Sequence, residues 1–468
     1  MLNISIEEIL RVTDGKLVQG ENVIIDNFAL DSRSIKKNEF FIALHGKNFD
    51  GHSYIVEAYK KGAIGALVDI TKLNAVKSSF RKQGFSGLPS EFIIIKVENT
   101  LRSFGLIAAF YRRRYKVKTI AVTGSNGKTT TKELIYNLLL TKYKKSEILK
   151  TEKNYNNEIG VPLTIFKLDP EIKIFVAELG INHIGEMQRL AYMTDPFYGL
   201  ITNIGETHLE FLKNDRIVAK AKGELIPYIN NTLFFNFDDK YYNYFQNFSE
   251  CKITGFSLNS DLKEHNVFTF DSVEDNGLKG YTISFRGEKI KFNLTGEHNL
   301  YNLLSALCVV DAFGININKA KKVIEKFKPL DDRGNFSKYK NLTIFFDAYN
   351  ANPTSVKALL YFINNLNYTN RIAVLGDMAE LGKKAMKHHT EVLNYISNMD
   401  FEKVFLYGKY FSRVYRERLT DKKLFKPYKD LETIGKELKS LGKRSEETIV
   451  IIKGSRKMEM EKLLKFIR

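Results

Sequence analysis

Residues Ala121–Thr131, AVTGSNGKTTT, carry the groups needed to grip a polyphosphate. A β-branched run, Val117–Val122, enters a turn bracketed by Gly124 and Gly127. Lys128-Thr129-Thr130 follows, then Leu134, Leu138 and Leu139 at helical spacing. Strand, glycine turn and helix in that order make Gly-Lys-Thr a phosphate-binding loop. The glycines let the N–H groups of Gly124, Ser125, Asn126 and Gly127 converge on one anion at a helix N-terminus. Lys128 then reaches the terminal phosphates, the Thr129 hydroxyl helps to hold Mg²⁺, and Thr130 closes the loop. The commoner form of this loop has glycine where this chain has Val122. The shorter form, Thr-Gly-Ser-Asn-Gly-Lys-Thr-Thr, predicts a nucleoside triphosphate site.

Other polar groups stand at the ends of apolar strands. Glu178 closes Ile174–Ala177, where a P-loop enzyme places a carboxylate for its metal. His208 lies just past Leu200–Ile204, in Gly205-Glu206-Thr207-His208-Leu209-Glu210. Taken alone, such a histidine is more often structural, and Lys222 taken alone reads as a solvated helical lysine. Asn154–Pro162 reads as a polar loop entering a strand, with Asn154, Asn156 and Asn157 able to donate and accept. Asparagine also favours turns for local reasons. Two similar loops, Asp347–Pro353 and Gly376–Gly382, make a chance origin strained.

The elements that must position these groups follow from size and pattern. A chain of 468 residues exceeds one hydrophobic core, so several domains are expected. Hydrophobic residues make up 44%, which fits a globular protein. No apolar run approaches the roughly 18 residues of a membrane span. The start of the chain shows no basic region leading into an apolar stretch, so no secretory signal is read. Cys251 and Cys308 are too few for a disulfide framework or a zinc site, and reduced thiols in a cytoplasmic protein are expected. The net charge of +18 raises nucleic acid as a partner. The lysines, however, are spread along the chain, and runs such as Arg112-Arg113-Arg114 are short. Anionic small substrates suit the same field, and a lysine-rich composition bias yields it with no function at all.

From Met1 to about Tyr111, short strands and helices are punctuated at Asp14-Gly15, His45-Gly46 and Asp50-Gly51. Tyr111–Lys118 reads as a linker or element edge. From there to about Lys328, strands alternating with helical patterns argue for a mainly parallel sheet. The last region repeats that rhythm in Leu342–Phe346, Ile372–Leu375, Val404–Leu406 and Ile449–Ile452. Their ends carry Asp347, Gly376-Asp377, Gly408 and Lys453-Gly454. The prediction is an α/β chain of three domains, bounded at 1–112, 113–328 and 329–468. These are a small α/β domain, a P-loop domain on a mainly parallel sheet, and a Rossmann-like domain.

Over nearly its whole length the chain resembles the Mur ligases of bacterial cell-wall synthesis. Asp31-Ser32-Arg33, Phe40–Leu44 and Phe49-Asp50-Gly51-His52 resemble the family's UDP-sugar-binding first domain. The short P-loop is the family's own variant, which accounts for Val122. Asn154–Pro162, Asn203–Glu210, Asp347–Pro353, Leu375–Gly382 and Lys453–Arg456 resemble the branch that joins D-alanyl-D-alanine to UDP-N-acetylmuramoyl-tripeptide. The Asp-Asn-Pro-Arg-like motif of the lysine- or diaminopimelate-adding branch is absent from the sequence.

The resemblance implies an ATP-dependent amide ligase working through an acyl phosphate, with Lys128, Lys222 and His208 as catalytic residues. Glu178 and His208 match magnesium ligands alongside Thr129, and Lys222 matches a lysine carbamylated by CO₂. Asn299 and Asn302 match the adenine-contacting segment, and Arg333 and Asp347 match positions that close over the nucleotide. Asp347-Ala348-Tyr349 keeps one acid where two are expected. Ser32, Arg33, Asp50, Gly51 and His52 are implied to hold the UDP end of the substrate. Asn154, Asn156, Asn157, Tyr349, Asn350 and Asn352 are implied to contact the remaining substrate groups. The expected partners are small molecules, with no nucleic acid and no membrane, and a monomer is expected. The alternatives are the lysine- or diaminopimelate-adding ligase, a folylpolyglutamate synthase, or a basic P-loop NTPase that binds nucleic acid.

Overall fold

The Ile93–Val97 segment, IIIKV, is too uniformly apolar for a strand with a wet face, and it lies inside a five-stranded sheet. The order is Lys16–Gln19, Ile93–Val97, Gly65–Asp69, Phe40–Ile42, Phe28–Ala29, with an antiparallel first pair and parallel pairs after it. The computed structural model describes residues 2–46, 49–207, 209–248, 250–265, 267–328, 333–420 and 422–467. It comprises two units. The first is Met1–Ala121, Lys145–Gly180 and Glu186–Phe197; the second is Val122–Lys144, Ile181–Gly185 and Tyr198–Arg468.

In the first unit, helices Ile55–Lys60 and Leu73–Lys82 bury Ile55, Ala58, Val76 and Phe80 against Phe41, Val68 and Ile94 of the sheet. Strands Ile148–Lys150 and Ile174–Glu178 pair in parallel. Tyr111–Lys118 is not a linker. Tyr111 and Arg112 end the helix Thr100–Arg112, and Arg112 is buried. Its guanidinium donates to the carbonyl oxygens of Tyr115 (3.1 Å), Val117 (2.8 Å), Thr194 (3.1 Å) and Asp195 (3.3 Å). Arg113 stacks over Tyr192 and Arg114 pairs with Glu8. The basic run therefore staples chain segments together.

In the second unit, strands Tyr198–Ile201, Thr232–Asn236 and Lys252–Phe256 pair in parallel in that order. Between them and helix Glu297–Asp311 stands an antiparallel meander, Ser272–Asp275, Tyr281–Phe285 and Glu288–Phe292. The simple strand–helix alternation read from the sequence did not include it.

The last sheet has the order Arg333–Tyr339, Leu342–Asp347, Thr448–Lys453, Asn370–Gly376, Lys403–Tyr407, Phe425–Tyr428, with only the first pair antiparallel. Alternate side chains of its strands face opposite layers. Ala373, Leu375, Ile449 and Ile451 meet helices Pro353–Asn364, Ala385–Ile396 and Lys409–Arg418. Ile372, Val374, Val450 and Ile452 meet Leu431–Leu441 and Leu463–Ile467. After Thr448–Lys453 the chain leaves toward the face opposite to that taken after both neighbouring strands. In an open α/β sheet such a switch marks the place for a crevice, at the carboxyl ends of these three strands.

Replacing Arg112 with alanine orphans several buried carbonyls at once. A loss of about 3 kcal/mol is expected in urea unfolding of the first unit. A change within about 0.5 kcal/mol would contradict the staple.

Candidate active site

Strand Lys118–Thr123 ends in the glycine turn, and helix Lys128–Leu139 begins at its far side. Gly124 (φ +146°) and Gly127 (φ +82°) take backbone angles that side chains rarely adopt. A Cβ on Gly124 would collide with Thr202, and one on Gly127 with Asn302. The loop is stitched to the chain beyond strand Tyr198–Ile201. Ser125 N donates to Asn203 O (3.0 Å), and Gly205 N donates to Ser125 Oγ (2.9 Å). Asn126 N donates to Asn203 Oδ1 (3.0 Å), and its carbonyl accepts from Thr202 Oγ1 (2.6 Å) and Asn203 Nδ2 (3.1 Å). Ile204 N is anchored on Asp239 Oδ2 (2.8 Å). The loop is thus held in one conformation by backbone, hydroxyl and amide groups.

Lys128 Nζ donates to the carbonyls of Gly124 (2.7 Å) and Ser125 (3.3 Å), which keeps the ammonium over the turn. Thr129 is buried at the helix start, and Thr130 is half-buried. Asn302 accepts from Thr131 Oγ1 (3.2 Å) and donates to Asn299 Oδ1 (3.0 Å), and Asn299 donates to Thr295 O (2.8 Å). The two asparagines expected at adenine therefore form a ladder that ends behind Gly127.

Lys222 lies in helix Asp215–Gly223 and is almost wholly buried, so it is not a solvated lysine. Burial, then the charge of Lys128, pushes its amine well below the ordinary lysine range. The shift favours the neutral amine, the form that can attack CO₂. Glu224, two residues on, accepts Gly185 N through both carboxylate oxygens (2.9 Å each). His208 lies outside the described residues, as does the side chain of Arg333.

At the crevice of the last sheet, Lys453 is buried and its Nζ bonds Asp347 Oδ2 (2.6 Å) and Asn350 O (3.1 Å). Tyr349 is half-buried and Asn350 exposed. Asn352 caps helix Pro353–Asn364. The Gly376–Gly382 loop is also fastened. Asp377 accepts from Tyr410 N (2.9 Å) and Phe411 N (3.0 Å), and Ser455 Oγ accepts from Ala379 N (2.6 Å). His389 accepts Met378 N on Nε2 (3.0 Å) and donates from Nδ1 to Ala385 O (2.7 Å). Sequence reasoning missed the roles of His389, Asp239, Glu224 and the Lys453–Asp347 pair. Asp239 and His389 stand outside the loops they anchor, and Glu224 and the Lys453–Asp347 pair act through partners distant in sequence.

In the first unit, Glu178 is buried at its strand end, where Oε1 accepts from Asn156 Nδ2 (2.8 Å). Asn157 Oδ1 accepts from Ile159 N (3.1 Å) and Gly160 N (2.9 Å), so the Asn154–Pro162 loop enters a helix, Gly160–Ile165, and not a strand. Asn154 is exposed. Ser32 is buried and donates to Glu57 (3.3 Å), while the exposed Arg33 forks onto Asp31 (2.9 and 2.7 Å) and draws that carboxyl down to about 2. Gly51 donates to Leu44 O (2.8 Å), with no room there for a Cβ. His52 is buried, donating from Nδ1 to Asp50 (2.6 Å) and accepting Asp69 N on Nε2 (3.0 Å). Burial alone would raise the Asp50 carboxyl, but Lys72 and His52 hold it down to about 2.

Comparison with known proteins gives this geometry its setting. Residues 122–310 match the Mur ligase middle domain, and residues 332–456 match the "Mur ligase, glutamate ligase domain". The UDP-N-acetylmuramoyl-tripeptide–D-alanyl-D-alanine ligase of Bacillus subtilis is 31% identical, covering 99% of this chain and 98% of its own length. The chain belongs to the Mur ligase family. The fold agrees with a crystal structure of MurF from Acinetobacter baumannii, at a TM-score of 0.84, 24% identity and 99% of both chains. It also agrees with a MurF ligase from Thermotoga maritima solved in complex with ADP, at a TM-score of 0.78, 23% identity, and 94% and 96% of the two chains. As in other Mur ligases, ATP is the nucleotide that drives the reaction.

The tie between Asn203 and Asn126 yields a prediction. Asn203→Ala should weaken ADP binding about tenfold in calorimetry, from the loss of one to two hydrogen bonds that shape the loop. Unchanged affinity would contradict its role.

Proposed function

We propose that the chain joins D-alanyl-D-alanine to the terminal carboxylate of UDP-N-acetylmuramoyl-tripeptide, consuming ATP and yielding the UDP-pentapeptide of peptidoglycan synthesis. The observation that carries this reading is the seated P-loop with Lys222 buried beside Lys128, in a chain with a near-full-length relative that bears this ligase's name. The likeness to a diaminopimelate ligase structure is weaker, at a TM-score of 0.57 and 15% identity, and the short Arg112–Arg114 run is largely engaged within the first unit.

A carboxylate is a poor electrophile because it has no good leaving group. The γ-phosphoryl group of ATP passes to one carboxylate oxygen, breaking the bond to the β-phosphate bridge and releasing ADP. The α-amine of the dipeptide then attacks the acyl carbon. It loses a proton, and the tetrahedral adduct expels inorganic phosphate as the amide forms. The loop N–H groups and Lys128 offset the charge of two anions brought together. The neutral Lys222 amine adds to CO₂ and releases a proton, leaving an anionic carbamate. Thr129 and a carbamate on Lys222 offer hard oxygens of the kind Mg²⁺ takes, and the buried carboxylate of Glu178 has the same character. Bound Mg²⁺ would neutralise charge on the phosphates. The UDP end falls to Ser32, Arg33 and the Asp50–His52 segment, and the dipeptide to the crevice beside Asp347–Asn352 and Lys453–Arg456. Among the described residues no helix is long and apolar enough to cross a membrane. A cytoplasmic monomer fits small, soluble substrates.

Phosphate release from ATP should require the UDP-tripeptide and D-alanyl-D-alanine together. Release supported by the UDP-dipeptide and a single free amino acid would move the chain to the neighbouring branch. Release indifferent to both would leave only an ATPase.

Lys128→Ala should cut turnover by about 10²–10³-fold while UDP-substrate binding persists. Normal turnover would sink the P-loop assignment.

CO₂-stripped buffer should lower activity, most at acid pH where the Lys222 amine is protonated, and bicarbonate should restore it. Activity indifferent to CO₂ would exclude the carbamate. The unfolded chain binds a proton that the buried bare amine refuses. Without CO₂, stability should therefore rise with pH, from the lowered Lys222 value toward the ordinary lysine range.

A further inference from the structure

The corner after strand Thr232–Asn236 commits three consecutive side chains to three different elements. Asp238 Oδ2 accepts from Tyr301 Oη (2.9 Å) and Leu258 N (3.0 Å), and its Oδ1 accepts from Ser257 Oγ (2.6 Å). Asp239 Oδ2 accepts from Ile204 N (2.8 Å), and its Oδ1 from Tyr241 N (2.9 Å). Lys240 pairs with Asp215, the first residue of the helix that carries Lys222. Ile204 follows Asn203, which pins Asn126 in the phosphate loop. Tyr301 precedes Asn302, which accepts from Thr131 on the helix leaving that loop. The bonds close a ring: phosphate loop, Asn203–Ile204, Asp239–Asp238, Tyr301–Asn302, and back through Thr131. Within it, the Asp238–Tyr301 bond ties the start of helix Glu297–Asp311 to the carboxyl end of the sheet. Burial, then the Asp238 bond, pushes the Tyr301 phenol up, so it stays a donor.

We propose that Tyr301, held by Asp238, is a positioning residue that sets the base selectivity of the nucleotide site. This rests on the nucleotide reading given above, in which Asn299 and Asn302 face adenine. An amide side chain has two N–H donors and two acceptor lone pairs. The half-buried Asn299 donates one N–H to Thr295 O and accepts once from Asn302 Nδ2. Its other N–H and lone pair match the ring nitrogen N7 and the amino group of adenine. Guanine keeps that ring nitrogen but puts a carbonyl oxygen where adenine has its amino group, facing the amide oxygen unfavourably. Such a reading requires the amide to stand at a fixed distance from the phosphates, and the ring of bonds fixes that span. Without the phenol bond the first turns of the helix shift against the sheet, while the loop keeps its own ties to Asn203 and Thr202.

Tyr301→Phe keeps the aromatic ring and removes only the hydroxyl. The experiment is calorimetric binding of ADP, GDP and inorganic tripolyphosphate to the full chain. The wild type should prefer ADP over GDP by about tenfold or more. In Tyr301→Phe that preference should shrink about fivefold, through weaker ADP binding, while tripolyphosphate stays within about twofold of the wild type. Asp238→Ala should shrink the ratio at least as much, and adding Tyr301→Phe to it should change the ratio no further. An unchanged ADP-to-GDP ratio in Tyr301→Phe would overturn the proposal. So would a parallel loss of ADP and tripolyphosphate, because that is damage to the phosphate loop. A wild type that binds ADP and GDP alike would overturn the adenine reading of Asn299 and Asn302, and this inference with it.

Discussion

Everything the second unit does depends on the bonds between the phosphate loop and the Thr202–Gly205 segment. A glycine-bracketed turn has many conformations in isolation, and only a few of them aim its N–H groups at one point. Here Ser125 and Asn126 are fixed through both backbone and side-chain partners. The entropy of ordering the loop is therefore met during folding, before any nucleotide arrives. The same bonds orient the chain that continues from Gly205 into helix Asp215–Gly223 and Lys222. Loop and lysine are two ends of one scaffold.

The second constraint is charge. An ammonium buried as deeply as Lys222, beside another lysine, is unfavourable, which biases the amine toward its neutral form. The neutral amine is the form that would add to CO₂, and a carbamate there would carry the opposite charge in the same place. Under the proposed function, a carbamate at Lys222 would give the site an anion suited to a metal, with Lys128 as a separate cation. At the crevice of the last sheet, Lys453 is buried with its own counter-charge, Asp347. That pair can shape a pocket without drawing phosphates away from the loop.

The strand, glycine turn and helix around Gly124–Lys128 were legible because they are contiguous and their geometry is local. The last sheet was legible too, since its buried parallel strands are short apolar runs ending in polar residues, as in TIVIIK before Gly454. What could not be read was what each side chain meets across the fold. Lys222 looks solvated in sequence because nothing adjacent shows its burial, and only the resemblance reversed that reading. Asn154–Pro162 read as a loop into a strand, but the Asn157 side chain caps a helix start that tolerates Pro162 in its first turn. Tyr111–Lys118 read as a linker or element edge, and it is the edge of a helix; the buried role of Arg112 was hidden because its carbonyl partners reach as far as Asp195. The meander at Ser272–Phe292 interrupts the strand–helix rhythm with hairpins.

The most direct measurement follows the oxygen atoms. UDP-N-acetylmuramoyl-tripeptide labelled with oxygen-18 in its terminal carboxylate would be turned over with ATP and D-alanyl-D-alanine, and the released phosphate weighed by mass spectrometry. Ligation through an acyl phosphate requires one labelled oxygen to move from the carboxylate into inorganic phosphate as the amide forms. Unlabelled phosphate, released at the normal rate alongside labelled peptide, would contradict it.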